Sequence, residues 1–410
     1  MKVDADAAGM DAARLARIDE HLTHRYIEPG KIAGCLTAVV RHGAVAHFSC
    51  LGFADRERQR PVADDTIWRA YSMTKPITGV ALMTLYERGM FQLNDPVDRF
   101  IPSWKGIKVK EQDGRLVEPQ RPPSVKDVMM HTAGLGYGPA NADLDPGVLT
   151  DRRRPSPMER APSLEALAEQ LAGEPLRFHP GTHWLYSFGT DVCARLVEVM
   201  SGRRFDEYLQ SEIFEPLGMV DTAFSVPDSK LGRFAANYGR STKKELVLVD
   251  DPEQSAYRKQ PTFLSGGGGL VSTALDYLRF VQMLVQGGEL EGRRVLGRKT
   301  VGLMGTNHLP ANARGTGRLT MADFALPGGY GETEFDGMGF GLTMAVALGP
   351  AATGVIGSAG EFMWGGAAST IFWVDPAEEL GVVFMTQLMP SGTFNFRGQL
   401  KSLVYPAIVD

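Results

Sequence analysis

Residues 72–86 place a lysine and a proline at the start of a long uncharged stretch, which restricts how the chain can fold there. Ser72, Lys75 and Pro76 lead into the sequence ITGVALMTLY, and residues 76–86 carry no charge. Proline has no N–H to donate, and its ring clashes with the carbonyl four residues earlier. A helix through residues 77–88 therefore has to begin close to Ser72. Because this helix is apolar on every side, the sequence predicts that it is buried.

Ser72 and Lys75 are expected to share one face at the start of this helix, because they are three residues apart. A serine hydroxyl needs a neighbouring base to become a nucleophile, and helix N-terminal amides can donate to an oxyanion. A poorly solvated lysine has a lowered pKa and can act as that base or polarise another one. A capping serine beside a lysine that reaches for solvent would give the same pattern. The pattern S-x-x-K also occurs at residues 241–244, where the polar surroundings predict a surface turn.

Composition excludes several classes of protein. The chain has 410 residues, of which 43% are hydrophobic, so it can bury a large core in about two structural regions. A net charge of -5 gives no basic face for nucleic acid or anionic lipid, and short runs such as the one at 151–154 are expected to be solvated loops. The N-terminus has no signal-peptide pattern, and no run reaches about 18 apolar residues. Cys35, Cys50 and Cys193 are too few and scattered for a disulfide framework, so a cytoplasmic location is predicted.

Strand patterns occur near both ends of the chain. Residues 34–55 give two β-branched runs joined at His42-Gly43, and residues 368–389 give two more around an Asp-Pro turn. The middle is rich in Pro, Gly and charge, with helical patterns at residues 163 and 190 that each open with a plausible cap, Ser163 and Thr190. We expect an α/β (α+β) fold with an antiparallel central sheet flanked by helices. Residues 1–105 and 258–410 would form the sheet domain, and residues 106–257 a mostly helical inserted region.

Two further motifs follow the Ser72 segment in a recognisable order. Tyr186 opens the sequence YSF shortly before a helical pattern, and Trp364, Gly365 and Gly366 enter a strand pattern. Together with SMTK at Ser72, these spacings resemble the serine β-lactamase and penicillin-binding-protein superfamily, specifically the class C β-lactamase-like family VIII carboxylesterases. Nearly the whole chain takes part in the resemblance, including the segments at 129–137, 215–219, 266–280 and 337–342.

The resemblance implies roles for individual residues. Ser72 would be the nucleophile, Lys75 its partner, and Tyr186 the proton carrier between nucleophile and leaving group. The backbone N–H groups of Ser72 and Ala367 would form the oxyanion hole. Tyrosine becomes a usable base only if a cation stabilises its phenolate, and Lys75 could be that cation. Whether Lys75 or Tyr186 takes the serine proton stays open at this point.

The sequence also departs from the β-lactamase pattern. Those enzymes carry Tyr-x-Asn, whereas Ser187 and Phe188 follow Tyr186 here, and their Lys-Thr-Gly strand is replaced by Trp-Gly-Gly at residues 364–366. Loss of that lysine removes a cation for a substrate carboxylate, and we expect Trp364 to offer an apolar wall to the substrate instead. The departures therefore favour neutral esters. Tyr137 is expected to line the same pocket.

Other candidate residues are better explained by structural roles. His131 is expected to organise a loop. His179 and His183 are separated by Pro180 and Gly181, which break the helix that a zinc pair would need. The glycines at 266–269 lack the lysine of a phosphate loop and predict a tight turn near the site. Asp191 could orient the site, cap a helix or be a buried polar residue.

The most specific prediction is a serine carboxylesterase that hydrolyses short-chain, neutral carboxylic esters through an acyl-enzyme on Ser72. It would need no metal or organic cofactor, and its partner would be a small-molecule ester rather than nucleic acid or membrane. A β-lactamase, a D-amino-acid peptidase or an acyltransferase could use the same residues. A catalytically inactive relative that binds a peptide or cell-wall fragment is the alternative from another class. The sequence leaves the oligomeric state open.

Overall fold

The computed structural model describes residues 2–137, 161–311, 317–326 and 330–410. The basic run at 151–154 lies outside the described residues, as does part of the predicted inserted region.

The described residues contain short and long β-strands from Gly34 to Met389. They are β1 Gly34–Arg41, β2 Ala44–Asp55, β3 Arg60–Pro61, β4 Ile67–Arg69, β5 Val109–Lys110, β6 Leu116–Val117, β7 Asn237–Arg240, β8 Leu246–Asp250, β9 Val271–Thr273, β10 Glu289–Leu290, β11 Arg293–Arg294, β12 Met338–Phe340, β13 Ala345–Ala347, β14 Phe362–Gly365, β15 Ile371–Asp375, β16 Leu380–Thr386 and β17 Leu388–Met389.

The α-helices lie between and around these strands. They are α1 Ala12–Leu22, α2 Thr74–Glu87, α3 Val125–Met130, α4 Leu164–Ala172, α5 Gly189–Ser201, α6 Phe205–Leu209, α7 Glu215–Leu217, α8 Ala274–Val285, α9 Arg298–Met304, α10 Met321–Phe324, α11 Pro350–Thr353 and α12 Phe396–Val404. Shorter 3-10 turns are at Tyr71–Met73, Val97–Arg99, Pro102–Trp104, Asp228–Arg233, Ala256–Arg258 and Tyr405–Ala407, and π-helical turns are at Thr23–Ile27 and Gln210–Phe214.

The central sheet joins the two ends of the chain, as predicted. Its eight strands follow the order β12-β13-β14-β15-β16-β1-β2-β3, and every neighbouring pair is antiparallel. The first hairpin turns at His42 and Gly43, which both have positive φ, as a two-residue hairpin turn requires. β16 then pairs along β1, with Cys35 opposite Thr386. The predicted fold class is confirmed.

Helices cover both faces of this sheet, which explains why β1 and β16 are buried along their whole length. α8 packs on β1, β15 and β16, while α1 packs on β2 and on α12. α2 is buried on every side from Thr74 to Leu85 and packs on α5, so the prediction of a fully buried helix is confirmed.

Residues 106–257 contain helices α3 to α7 and also two small strand pairs. β7 pairs with β8 and also runs parallel to β17 near the C-terminus, so this region is hydrogen-bonded to the C-terminal part. The division into two domains stays a prediction. α4 begins after the Ser163 cap, as expected, but α5 begins at Gly189 after Phe188, which makes no side-chain cap. Thr190 lies inside the first turn, so its predicted capping role is wrong.

The cysteines and the helix lengths bear on the predicted absence of disulfides and of membrane spans. All three cysteines are free, and Cys35 and Cys193 are buried. Within the part of the chain that the structure describes, no helix combines the length and the hydropathy needed to cross a membrane.

Arg69 is a fully buried charge that links strand β4, just before Ser72, to the middle of the chain. Its Nε donates to Asp250 Oδ2 at 2.7 Å and its Nη1 to the Ala235 carbonyl at 2.6 Å, and the guanidinium lies 4.0 Å from the Phe234 ring centroid. A planar guanidinium can stack on an aromatic ring and donate to several fixed acceptors at once, which a lysine ammonium cannot do. The site segment is therefore anchored from its N-terminal side.

We predict that Arg69→Met lowers the free energy of unfolding by about 3 kcal/mol, because it leaves buried acceptors and a carboxylate unpaired. Arg99→Met is the matched control, since the Arg99 side chain is 59% exposed in its pair with Asp95 and the pair should contribute below about 1 kcal/mol. Urea unfolding of the three proteins measures both values. Equal losses in the two variants would contradict the anchoring role.

Candidate active site

Ser72 lies in a 3-10 turn that leads directly into α2. The turn spans Tyr71–Met73, and Tyr71 has a φ of 45°, which is unusual for a residue other than glycine. Ala70 N donates to the Leu270 carbonyl at 3.0 Å, and Tyr277 Oη donates to the Met73 carbonyl at 2.9 Å. Contacts on both sides of Ser72 thus hold this backbone conformation in place.

Lys75 lies one turn further and is 1% exposed. Its Nζ is 3.2 Å from Ser72 Oγ and donates to the Gly267 carbonyl at 2.6 Å. Burial lowers the pKa of Lys75 to about 8, while the negative charges of Asp191 and Glu332 act in the opposite direction. An amine with this pKa is neutral in about a tenth of the molecules at pH 7, far more than an ordinary lysine, so it can accept a proton. The predicted pairing of Ser72 with Lys75 is present in the structure.

Tyr186 lies beside Ser72 and Lys75. Lys75 Nζ is 4.5 Å from the centroid of the Tyr186 ring. Burial raises the pKa of Tyr186 well above 10, and the neighbouring Ser72 side chain only partly opposes this. Burial therefore favours a neutral Tyr186 phenol over a phenolate.

Trp364 is placed differently from the sequence expectation. Its side chain is 0% exposed, and its Nε1 donates to Tyr186 Oη at 3.3 Å. The two rings meet edge to face with centroids 5.4 Å apart. The expected apolar wall facing the substrate is wrong, because the indole is enclosed on the far side of Tyr186. Trp364 instead fixes the Tyr186 hydroxyl.

Gly365, Gly366 and Ala367 follow Trp364 and pass close to the Ser72 segment. A Cβ on Gly366 would lie 2.5 Å from the Ala70 carbonyl oxygen, so only glycine allows this approach. The turn is closed by Gly366 N donating to the Thr370 carbonyl and Ser369 N donating to the Gly366 carbonyl, each at 2.8 Å. These bonds use the groups on either side of the Ala367 N–H. The placement is compatible with the expected oxyanion donors at Ser72 and Ala367, whose role stays a prediction.

The glycines at 266–269 form the predicted tight turn, and Asp191 holds it. Asp191 is 1% exposed, and its Oδ1 accepts from Ser265 Oγ at 2.6 Å and from Gly267 N at 3.0 Å. Asp191 is therefore a buried polar residue and not the cap of α5, and a role in orienting the site stays a prediction. The same turn supplies the carbonyl that accepts from Lys75.

Glu332 is a second buried carboxyl that sequence reasoning missed. Its Oε2 accepts from Ser391 Oγ at 2.7 Å, its carbonyl accepts from Arg397 Nη2 at 3.0 Å, and burial raises its pKa. It lines a cavity of about 540 Å3 that also contains Gly365 and Gly366. Further charged residues around this cavity are Glu334, Asp336, Arg397 and Lys401. Residue 332 lies in no local motif, so no sequence signal pointed to it.

The remaining candidates take structural positions. His131 caps α3 with a φ of 59°, contacts Ser187 Oγ at 3.0 Å, and has its pKa lowered well below 6.5 by burial, which agrees with a role in organising the loop. Tyr137 lies beside the site, with its ring centroid 5.2 Å from that of Tyr186.

Neither the His179 and His183 pair nor the second S-x-x-K match forms a metal or catalytic site. His179 contacts Glu111, whereas His183 stacks on Phe324. No group of three or more His, Cys, Asp or Glu side chains suited to a metal ion is found among the described residues. The second S-x-x-K match forms the turn between β7 and β8, with Lys244 exposed at a φ of 65°.

Comparison with known proteins agrees with this geometry. A family model described as Beta-lactamase matches residues 18–404. The chain belongs to the Beta-lactamase family. Among curated relatives, the esterase EstB of Burkholderia gladioli is 30% identical over 407 residues, covering 95% of each protein. The lovastatin esterase of Penicillium rubens is 27% identical and covers 89% of this chain and 91% of its own length.

Solved structures show the same fold at lower identity. EstCE1, a hydrolase with promiscuous acyltransferase activity, matches with a TM-score of 0.75 at 24% identity, covering 97% of this chain and 99% of its own. Unliganded simvastatin synthase from Aspergillus terreus matches with a TM-score of 0.75 at 22% identity, covering 97% and 98%. The resemblance to β-lactamase-like serine hydrolases, drawn from SMTK, YSF and WGG, is confirmed.

The position of Trp364 leads to a stability prediction. Trp364→Lys should lower the free energy of unfolding by several kcal/mol, because it places an unpaired ammonium in an enclosed site. Trp364→Phe removes mainly the donor to Tyr186 Oη and should cost about 1 kcal/mol. Urea unfolding of both variants tests this. A Trp364→Lys protein of native stability that binds anionic substrates would show that residue 364 does face the substrate.

Proposed function

We propose that the chain is a serine carboxylesterase that forms an acyl-enzyme on Ser72. One observation carries this proposal: a buried lysine amine lies 3.2 Å from a serine hydroxyl at the start of a helix, and a tyrosine ring lies 4.5 Å from the same amine. A nucleophile, a base and a second proton carrier are therefore within reach of one another. The named esterases among the relatives support the same chemistry.

In the proposed acylation step, neutral Lys75 takes the proton from Ser72 Oγ while the oxygen attacks the ester carbonyl carbon. The carbonyl oxygen gains the negative charge and accepts from the N–H groups of Ser72 and Ala367. The proton then passes from the Lys75 ammonium through the Tyr186 hydroxyl to the departing alkoxide, which leaves as the alcohol. Lys75 is preferred as the base because its pKa is about 8, whereas burial raises that of Tyr186.

Deacylation would reverse these roles. A water molecule gives a proton to neutral Lys75, directly or through the Tyr186 hydroxyl, and attacks the acyl carbon; the proton then returns to Ser72 Oγ as the acid leaves. Because Lys75 has to be neutral at the start, the acylation rate should rise as pH passes through about 8.

The replacement of the β-lactamase lysine by Trp364 supports the preference for uncharged substrates. Without that cation, a substrate carboxylate would lose its hydration and gain no paired charge in return. Neutral short-chain esters avoid this cost. We also propose a cytoplasmic location without a nucleic-acid partner, on the basis of the acidic net charge and the free cysteines.

We predict that a fluorophosphonate labels the peptide containing Ser72, because the hydroxyl beside Lys75 is the activated one. Peptide mass spectrometry locates the adduct. Ser72→Ala should abolish both labelling and hydrolysis of p-nitrophenyl acetate, whereas Ser241→Ala should leave both unchanged, since residue 241 lies in a surface turn. An adduct on Ser241 would overturn the assignment.

We further predict that kcat/KM for p-nitrophenyl acetate exceeds that for the anionic β-lactam nitrocefin by at least ~10²-fold, which corresponds to ~2.7 kcal/mol. Steady-state assays at one pH measure the ratio, and release of the acyl group to added short-chain alcohols tests the acyltransferase alternative. Comparable efficiency on both substrates would favour the β-lactamase alternative.

A further inference from the structure

Asp191 is a buried carboxylate that the proposed reaction does not use. It lies in the first turn of α5 and is 1% exposed. Its Oδ1 accepts from Ser265 Oγ and from Gly267 N, while its Oδ2 has no hydrogen-bond partner among the described residues. Burying a carboxylate with an unsatisfied oxygen is costly unless a cation is close by. This position therefore calls for a compensating charge.

Lys75 is that charge, and a single residue, Gly267, joins it to Asp191. Gly267 donates its N–H to Asp191 Oδ1 at 3.0 Å and accepts from Lys75 Nζ through its carbonyl at 2.6 Å. A Cβ on Gly267 would lie 2.6 Å from Asp191 Oδ2, so the contact requires glycine. Burial raises the pKa of Asp191, and the Lys75 charge opposes this in part, while the Asp191 charge in turn raises the pKa of Lys75.

We propose that Asp191 is the positioning residue of Lys75: through the Gly267 peptide it holds Nζ against Ser72 Oγ, and its negative charge stabilises the ammonium that forms when Lys75 takes the serine proton. The inference rests on the proposed function, because it assumes that Lys75 is the base. The proton leaves Ser72 Oγ, the new bond is N–H on Lys75, and Asp191 itself neither gains nor loses a proton.

Several other groups face Lys75 and remain when Asp191 is changed. Glu332 is the other carboxyl whose charge raises the pKa of Lys75. The rings of Tyr186 and Tyr137 lie 4.5 and 5.8 Å from Nζ, and His131 is kept neutral partly by the Lys75 charge. Removing the Asp191 charge should therefore lower the pKa of Lys75 only in part.

The first test follows the rate of Ser72 labelling by a fluorophosphonate as a function of pH. In the native protein the rate should rise with a midpoint near 8. Asp191→Asn keeps the shape but removes the charge, so the midpoint should fall by about one pH unit and the rate at high pH by about 10-fold. A merely structural role would lower the rate without moving the midpoint.

Asp276→Asn is the matched control. Asp276 is also buried, at 4% exposure, and accepts from Asp221 N and Thr222 Oγ1, away from Lys75. Its replacement should leave the midpoint and the limiting rate unchanged. An Asp191→Asn midpoint equal to that of the native protein overturns the inference, whereas absence of Ser72 labelling in the native protein overturns the proposed function itself.

A thermal comparison keeps the test decisive if Asp191→Asn folds but is too unstable for the labelling assay. Lys75→Met leaves the Asp191 charge unpaired, and Asp191→Asn leaves the Lys75 charge without one partner, so each single change should lower Tm. The double variant removes both charges and should have a Tm above that of either single variant. Additive losses in Tm would show that the two residues are not coupled and would overturn the inference.

Discussion

The hydrogen bond from Lys75 Nζ to the Gly267 carbonyl is the contact on which the arrangement of the site depends. An ammonium group that is 1% exposed needs fixed acceptors in place of water, and a backbone carbonyl is an acceptor that cannot itself be protonated. Gly266 and Gly267 bring that carbonyl close enough, because side chains at these two positions would collide with α5. The pairing of Ser72 with Lys75 then follows from helix geometry.

Aromatic packing gives this polar cluster its environment. Tyr186 contacts the rings of Trp184, Trp364 and His131, so its hydroxyl is held in one orientation. Few waters can enter such a site, and the same exclusion of water that lowers the pKa of Lys75 raises that of Tyr186. The same environment therefore makes the Lys75 amine lose its proton more readily and makes the Tyr186 phenol keep its proton.

The sequence was most informative where local geometry decides the outcome. Pro76 fixes where α2 begins, and His42-Gly43 fixes the turn between β1 and β2, so both could be predicted from a few residues. Trp364 was misplaced because a strand exposes alternate residues to opposite faces, and the motif does not say which face carries Tyr186. Glu332 reaches the site only through tertiary packing of a segment without a motif. The function of Asp191 depends on Gly267, which is distant in sequence and joined to it by the fold alone.

The pairing of β1 with β16 has a consequence for how the protein is made. In the central sheet, β1 pairs with β16, which ends at Thr386. This pair can therefore form only after the chain has been synthesised as far as Thr386. Contacts between such distant segments form slowly, since a long loop has to close first. The β1–β2 hairpin therefore leaves the ribosome with the other edge of β1 unpaired. The Ser72 segment is likewise uncovered until the segment at Gly366 has been synthesised. A truncated chain that lacks β12 to β16 would expose an apolar edge of β1.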